Sequence, residues 1–228
     1  MLKTIPRHIA LCVATIAAVL LLAAACSSPT PEAFAGTLLK NADAAFDFQL
    51  SDQLGRSTSL QDHSGKVVVL TFMYTNCPDV CPIVTNQLRD IYMQLQEQTD
   101  GTDDIAVLAV SLDPERDNID EARRYLDKWG LVDEWQFLVG SREELAPIWK
   151  AYYLKPGHVH TAPTEPHSHN GPESSGGGID SSTPGKEYLV VHSTPVYLID
   201  RQSRRRVVFT TPLDTEAVAH DIRLLLAD

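Results

Sequence analysis

Two unbroken apolar runs, Val67-Val-Val-Leu-Thr-Phe72 and Ile105 to Ser111, constrain this chain most. An apolar run without polar alternation reads as a strand covered on both faces. Between the runs, Val84, Leu88, Ile91 and Leu95 recur at helical spacing through Gln98. Upstream, Phe46-Asp-Phe-Gln-Leu50 alternates like a half-buried strand, and Gln53-Leu-Gly-Arg56 turns into Ser57-Thr-Ser-Leu60.

Downstream, Asn118-Ile-Asp-Glu121 resembles a capping box that opens a helix closed by Gly130. Gln136 to Val139 reads as a short strand. Ser141-Arg-Glu-Glu144 is a second capping box, starting a helix with a potential kink at Pro147. Residues 156–186 lack periodicity and are dominated by Gly, Pro, Ser and His, which predicts a long insertion within the domain. Strands are expected at Tyr188–Val191, Val196–Ile199 and from Arg206 to Thr210, the last two as a hairpin. A helix is expected from about Thr215 to Leu226. Early strands alternate with helices and a hairpin closes the set. That order predicts a single α/β domain, a thioredoxin-like mixed sheet with helices on both faces.

The first 25 residues differ from the rest. They carry Lys3 and Arg7, no acid, and an apolar run from Ile9 to Ala25, the form of a secretory signal. The small residues before Cys26 resemble the processing site of bacterial lipoproteins, which would make Cys26 the lipidated N-terminus. The alternative is an uncleaved anchor, since about 18 apolar residues span a bilayer. Either places the folded part at the extracytoplasmic face of a bacterial cell membrane. Residues 26–41, rich in Pro, Ala, Ser and Thr, read as a flexible tether to a domain over 42–228.

Of 19 basic residues the leader holds two; the other 17 face 30 acidic ones, a formal charge of −13. A nucleic-acid partner would need a basic face. Arg204-Arg205-Arg206, the one basic cluster, reads instead as a solvated hairpin turn. No nucleic-acid role is expected, and an acidic exported domain suits cationic partners.

With Cys12 in the leader and Cys26 at its end, Cys77 and Cys81 remain. Two cysteines four positions apart do not staple a scaffold and read as a reactive pair. They sit between a buried strand and the helix it feeds, where free N–H groups and the helix dipole favour thiolate. Residues four apart share a helix face, with Cβ atoms about 5–6 Å apart. Such a pair can chelate one soft metal ion, or close to a disulfide after local adjustment. Their polar, proline-flanked context argues against two inert buried cysteines.

The segment Tyr74-Thr-Asn-Cys-Pro-Asp-Val-Cys-Pro82, with Phe46–Leu50, Gly65–Phe72, Ser111-Leu-Asp-Pro-Glu-Arg-Asp117 and Val191-His-Ser-Thr194 before Tyr197–Asp200, closely resembles the Sco/SenC family. The resemblance implies that Cys77, Cys81 and His192 bind one copper ion, as Cu(I) or Cu(II). It also implies a role in assembling the dinuclear copper centre of cytochrome c oxidase, as metal donor, as thiol reductant of target cysteines, or both. The implied partner is the oxidase's copper-bearing subunit or another copper chaperone. Similar sequences usually carry an acid where Val191 stands, so a partner that would orient the imidazole is missing.

Several residues stay open between readings. Pro195 is either a cis-proline against the cysteines, favouring thiol–disulfide chemistry, or a trans proline at a strand's first position. His158, His160, His167 and His169 form two His-x-His pairs that could collect copper, or belong to a solvated loop. Asp79 could tune the thiolates, meet a target protein or serve as a helix N-terminal acid. Asp113 to Asp117 reads as capping and turn formation. His63 and His220 read as ordinary surface or core histidines.

Overall fold

A computed structural model describes residues 33–98, 104–160, 188–191 and 193–228. The compact unit begins at Phe34. Its six-stranded sheet has the order β1-β10-β9-β4-β5-β6. The strands are β1 (Thr37–Leu38), β4 (Val67–Met73), β5 (Ile105–Ser111), β6 (Gln136–Leu138), β9 (Val196–Ile199) and β10 (Arg205–Phe209). Strands β4, β5 and β6 run parallel, whereas β9 is antiparallel to both β4 and β10. Two ribbons complete the set: β2 (Gln49–Ser51) with β3 (Ser57–Ser59), and β7 (Gly157–His160) with β8 (Tyr188–Val191).

Every residue of β4 and β5 is buried, as their continuous apolar runs require. Helix α1 (Val80–Gln98) follows β4 and buries the stripe Val84, Leu88, Ile91 and Leu95. Helix α2 (Ile119–Trp129) starts at Asn118, whose side chain accepts the Glu121 N–H, and ends at Gly130 with φ 68°. Helix α3 (Arg142–Ala151) opens with a complete Ser141–Glu144 capping box and continues through Pro147. Helix α4 (Thr215–Ala227) closes the chain. One sheet face meets α1 and α4; from the other, Phe72 and Tyr197 pack on Tyr152 after α3, with ring centroids 5.3 and 5.0 Å away. This is the expected thioredoxin-like mixed sheet.

Four local expectations change. The tether gives way to structure before residue 42: Thr37 and Leu38 pair with Val208 and Val207. The buried Asp221 carboxylate accepts the Ala35 and Gly36 N–H groups at 2.7 and 2.9 Å. The insertion begins later than 156, because Gly157–His160 pairs with Tyr188–Val191 across the intervening sequence. The Phe46–Leu50 strand is shorter, starting at Gln49, with Phe46 exposed. The arginine triplet is not a solvated turn. Arg204 and Arg206 bind the buried Asp200 carboxylate at 2.8 and 3.0 Å, and Arg205 donates to Ala151 O and stacks on Tyr152.

Candidate thiol and metal site

The cysteine turn occupies the gap between β4 and α1. Cys77 follows a turn in which its N–H donates to Tyr74 O at 3.3 Å, and Cys81 lies in the first turn of α1. Both cysteines are reduced and buried, Cys77 at 8% exposure and Cys81 at 0%. The difference gives them different chemistry. The Cys81 N–H donates to Cys77 Sγ at 3.4 Å. The neighbouring Cys77 side chain, then burial, then the Cys77 charge push the Cys81 thiol far above its ordinary range. Cys81 therefore holds its proton, while the Cys77 sulfur, nearer the surface, accepts the Cys81 N–H.

Tyr74 is a third part of the site that the sequence did not single out. It is 2% exposed, and Arg116 lies over its ring at 5.7 Å. Burial, reinforced by the Cys77 charge, pushes the phenol up to about 12, so it keeps its proton at neutral pH.

The Ser111–Asp117 segment does more than turn the chain. Asp113 O does accept the Arg116 and Asp117 N–H groups, as a turn requires. The Asp117 carboxylate, however, reaches the cysteine turn: it accepts the Thr75 N–H at 3.0 Å, the Thr75 hydroxyl at 2.7 Å and the Ser111 hydroxyl at 2.6 Å. Burial raises this carboxyl to about 6 against those hydrogen bonds. Sequence carried a hint in the doubled acid of Asp113-Pro-Glu-Arg-Asp117, but not the partner 42 positions upstream.

The remaining expected residues are placed as follows. Cys26, His167, His169 and His192 lie outside the described residues; His158 and His160 fall on β7. Among the described residues no group of three His, Cys, Asp or Glu side chains is assembled as a metal site. The Thr194–Pro195 peptide is trans, and the Pro195 carbonyl accepts the Thr71 hydroxyl at 3.2 Å. The cis-proline reading is therefore set aside. Asp79 is exposed and immediately precedes α1. His63 is partly buried, and His220 Nε2 stands 3.9 Å from Asp221.

The family model described as SCO1/SenC matches residues 37–172, the stretch that holds the cysteine turn and its supports. The chain belongs to the SCO1/SenC family. Protein SCO2 homolog, mitochondrial, of Bos taurus is 26% identical over 181 residues, covering 79% of this chain and 59% of that protein. The chain thus spans about three fifths of the length of the first curated relatives it matches. Apo Sco1 of Thermus thermophilus, 27% identical, superimposes with a TM-score of 0.63 over 85% of this chain and 97% of its own. Copper-bound ScoI of Arabidopsis thaliana, 20% identical, shares the fold with a TM-score of 0.65 over 82% and 100%.

Proposed function

We propose that this Sco-family chain is a copper chaperone that binds one copper ion through Cys77, Cys81 and His192 and delivers it to the dinuclear copper centre of cytochrome c oxidase. The observation that carries this reading is the placement of two free cysteines at the start of one helix, with the Cys81 N–H donating to Cys77 Sγ at 3.4 Å. Two sulfur donors suit Cu(I), and an added imidazole extends the set to Cu(II). Copper is the cargo here, and three ligands leave room for transfer to a recipient. The copper bound by the Arabidopsis ScoI relative accords with the reading.

Copper stoichiometry and absorption of the reduced protein test it. One Cu(II) per chain with a sulfur-to-copper charge-transfer band is expected, lost in Cys77→Ser and Cys81→Ser. His192→Ala is expected to weaken Cu(II) more than Cu(I). Unchanged binding in the cysteine variants would refute the site.

A thiol–disulfide role is the second reading, favoured by the unequal cysteines: an outer sulfur that accepts the Cys81 N–H and an inner thiol that stays protonated. Dithiol exchange needs only the sulfurs. Retention of reductase activity by His192→Ala, with loss in Cys77→Ser, would select it. The recipient on either reading is the copper-bearing oxidase subunit or another copper chaperone. The proposed setting is the extracytoplasmic membrane face, with Cys26 as the lipid anchor; loss of labelled-lipid incorporation in Cys26→Ser tests the anchor. His158, His160, His167 and His169 are proposed to collect copper ahead of the main site. A drop in copper bound beyond the first equivalent, when all four become alanine, tests that role.

A further inference from the structure

Helix α3 ends in a way that packing does not explain. The Leu154 N–H donates to Trp149 O at 2.7 Å and the Tyr153 N–H to Lys150 O at 3.2 Å, with Tyr153 at φ 61°. Glycine usually fills that left-handed position at a helix end, because a Cβ is strained there. Here it holds a tyrosine that is 82% exposed, so the core gives the ring nothing in return. The ring instead lines a cleft of about 630 Å³. Trp149 and Leu154, each 5% exposed, give the cleft an apolar floor together with Pro156. Lys150 and Lys155 line it as exposed side chains, and among the described residues neither ammonium meets a carboxylate. Arg142 lies 6.0 Å over the Trp149 ring and is paired with Glu115. Among the described residues no acidic side chain lines the cleft, in a chain whose net charge is −11. Three hydrogen bonds tie the floor to the cysteine turn: Trp149 Nε1 to Ser111 O at 2.9 Å, the Ser111 hydroxyl to Asp117 at 2.6 Å, and the Thr75 N–H to Asp117 at 3.0 Å.

We infer that this cleft docks an acidic peptide segment, carrying an apolar side chain, of the protein that the cysteine turn serves. The inference rests on the reading of Cys77 and Cys81 as acting on another protein, and it names the chemistry that brings that protein in. The apolar side chain of the segment lies on Trp149 and Tyr153, and its carboxylates meet Lys150 and Lys155. The volume falls within the range of about 300–1,000 Å³ typical of ligand sites. An anionic membrane is a poorer occupant, because such a surface repels the negative charge of the whole chain. A short segment senses only the charges within about 8 Å at physiological salt, and here those are the two lysines. The exposed ring then has its reason, since interfaces use rigid aromatic anchors of this kind.

The test titrates the full reduced chain into a short fluorescein-labelled peptide, glutamates around a central leucine–phenylalanine pair, and follows anisotropy. Binding is expected at low salt, weakening several-fold by about 0.15 M salt. Lys150→Glu with Lys155→Glu is expected to weaken it by at least about tenfold. Arg123→Glu with Lys128→Glu makes the same change of net charge at exposed positions of α2; a loss below about twofold is expected there. Equal losses in the two double variants would overturn the site. Tyr153→Gly is expected to bind about tenfold more weakly, yet to unfold at the same or a higher urea concentration, because glycine relieves the left-handed position. Unchanged binding in Tyr153→Gly would overturn the proposal. So would no binding by the wild type, or capture of phosphatidylglycerol vesicles or of a second copy of the chain in place of the peptide. The assay contains no copper. A chain that binds the peptide but no copper would refute the chaperone reading and leave the docking site standing.

Discussion

Asp117 makes the strength of the cysteine turn dependent on pH. Its carboxyl is 5% exposed and titrates near 6 in the folded protein instead of near 3.8. Between those values the folded chain binds a proton that the unfolded chain has released. Stability is therefore fully present below about 3.8 and is lost as pH rises through about 6. Each pKa unit is worth about 1.4 kcal/mol, so ionising Asp117 costs about 3 kcal/mol by pH 7. Asp117→Asn cannot ionise, yet it can still accept from Thr75 through its carbonyl and donate to the Ser111 hydroxyl. Urea unfolding of the reduced protein from pH 4.5 to 7.5 should show the wild type losing about 2–3 kcal/mol relative to the variant. The gap should open between pH 4.5 and 6.5 and then flatten. Parallel stability curves for the two proteins would refute the argument, and so would a gap that widens toward acid.

Three further outcomes follow from packing. Gly36→Ala places a Cβ 2.4 Å from Val207 Cγ1 and 2.6 Å from Phe209 Cζ; a loss of roughly 1–3 kcal/mol is expected in thermal or urea unfolding. Asp221→Ala removes the acceptor of the Ala35 and Gly36 N–H groups; a loss of about 2 kcal/mol is expected, with faster amide exchange confined first to those two residues. Tyr125→Phe deletes the buried 2.6 Å contact with the Thr85 hydroxyl; a lower urea midpoint, worth about 1–2 kcal/mol, is expected without change at the cysteines.

The parts of the fold that were legible in sequence are those whose causes are local. Strands β4 and β5 announce themselves because burial on both faces leaves no polar position to interrupt them. The α2 and α3 starts are readable because Asn118 and Ser141 act on backbone N–H groups three residues away. The cysteine pair was legible because four positions is a short span, although Cys77 lies in the turn before α1 and not in its first helical turn, so the two meet through the Cys81 N–H and Cys77 Sγ. What stayed hidden depends on distant partners. Strand β7 has no apolar alternation in Gly-His-Val-His and exists because Tyr188–Val191 returns to pair with it. Strand β1 is two residues long and owes its place to β10 and Asp221. Tyr74 and Asp117 act across contacts that no window of sequence contains. The role of the arginine triplet depended on Asp200, since an exposed and a half-buried arginine look alike until their acceptor is known.

The β7–β8 ribbon also bears on how this chain can vary. Gly157 to His160 and Val191 to Tyr188 form a paired stem of four rungs, so the chain leaves and re-enters the fold at neighbouring points. Closure is made by the stem, and doubling the length between its ends costs only about 0.6 kcal/mol. Mutation can lengthen, shorten or rewrite the stretch after His160 while the six-stranded sheet keeps its register. Position 160 to 188 is thus a natural graft site, where a new recognition sequence can be installed and selected without renegotiating the core.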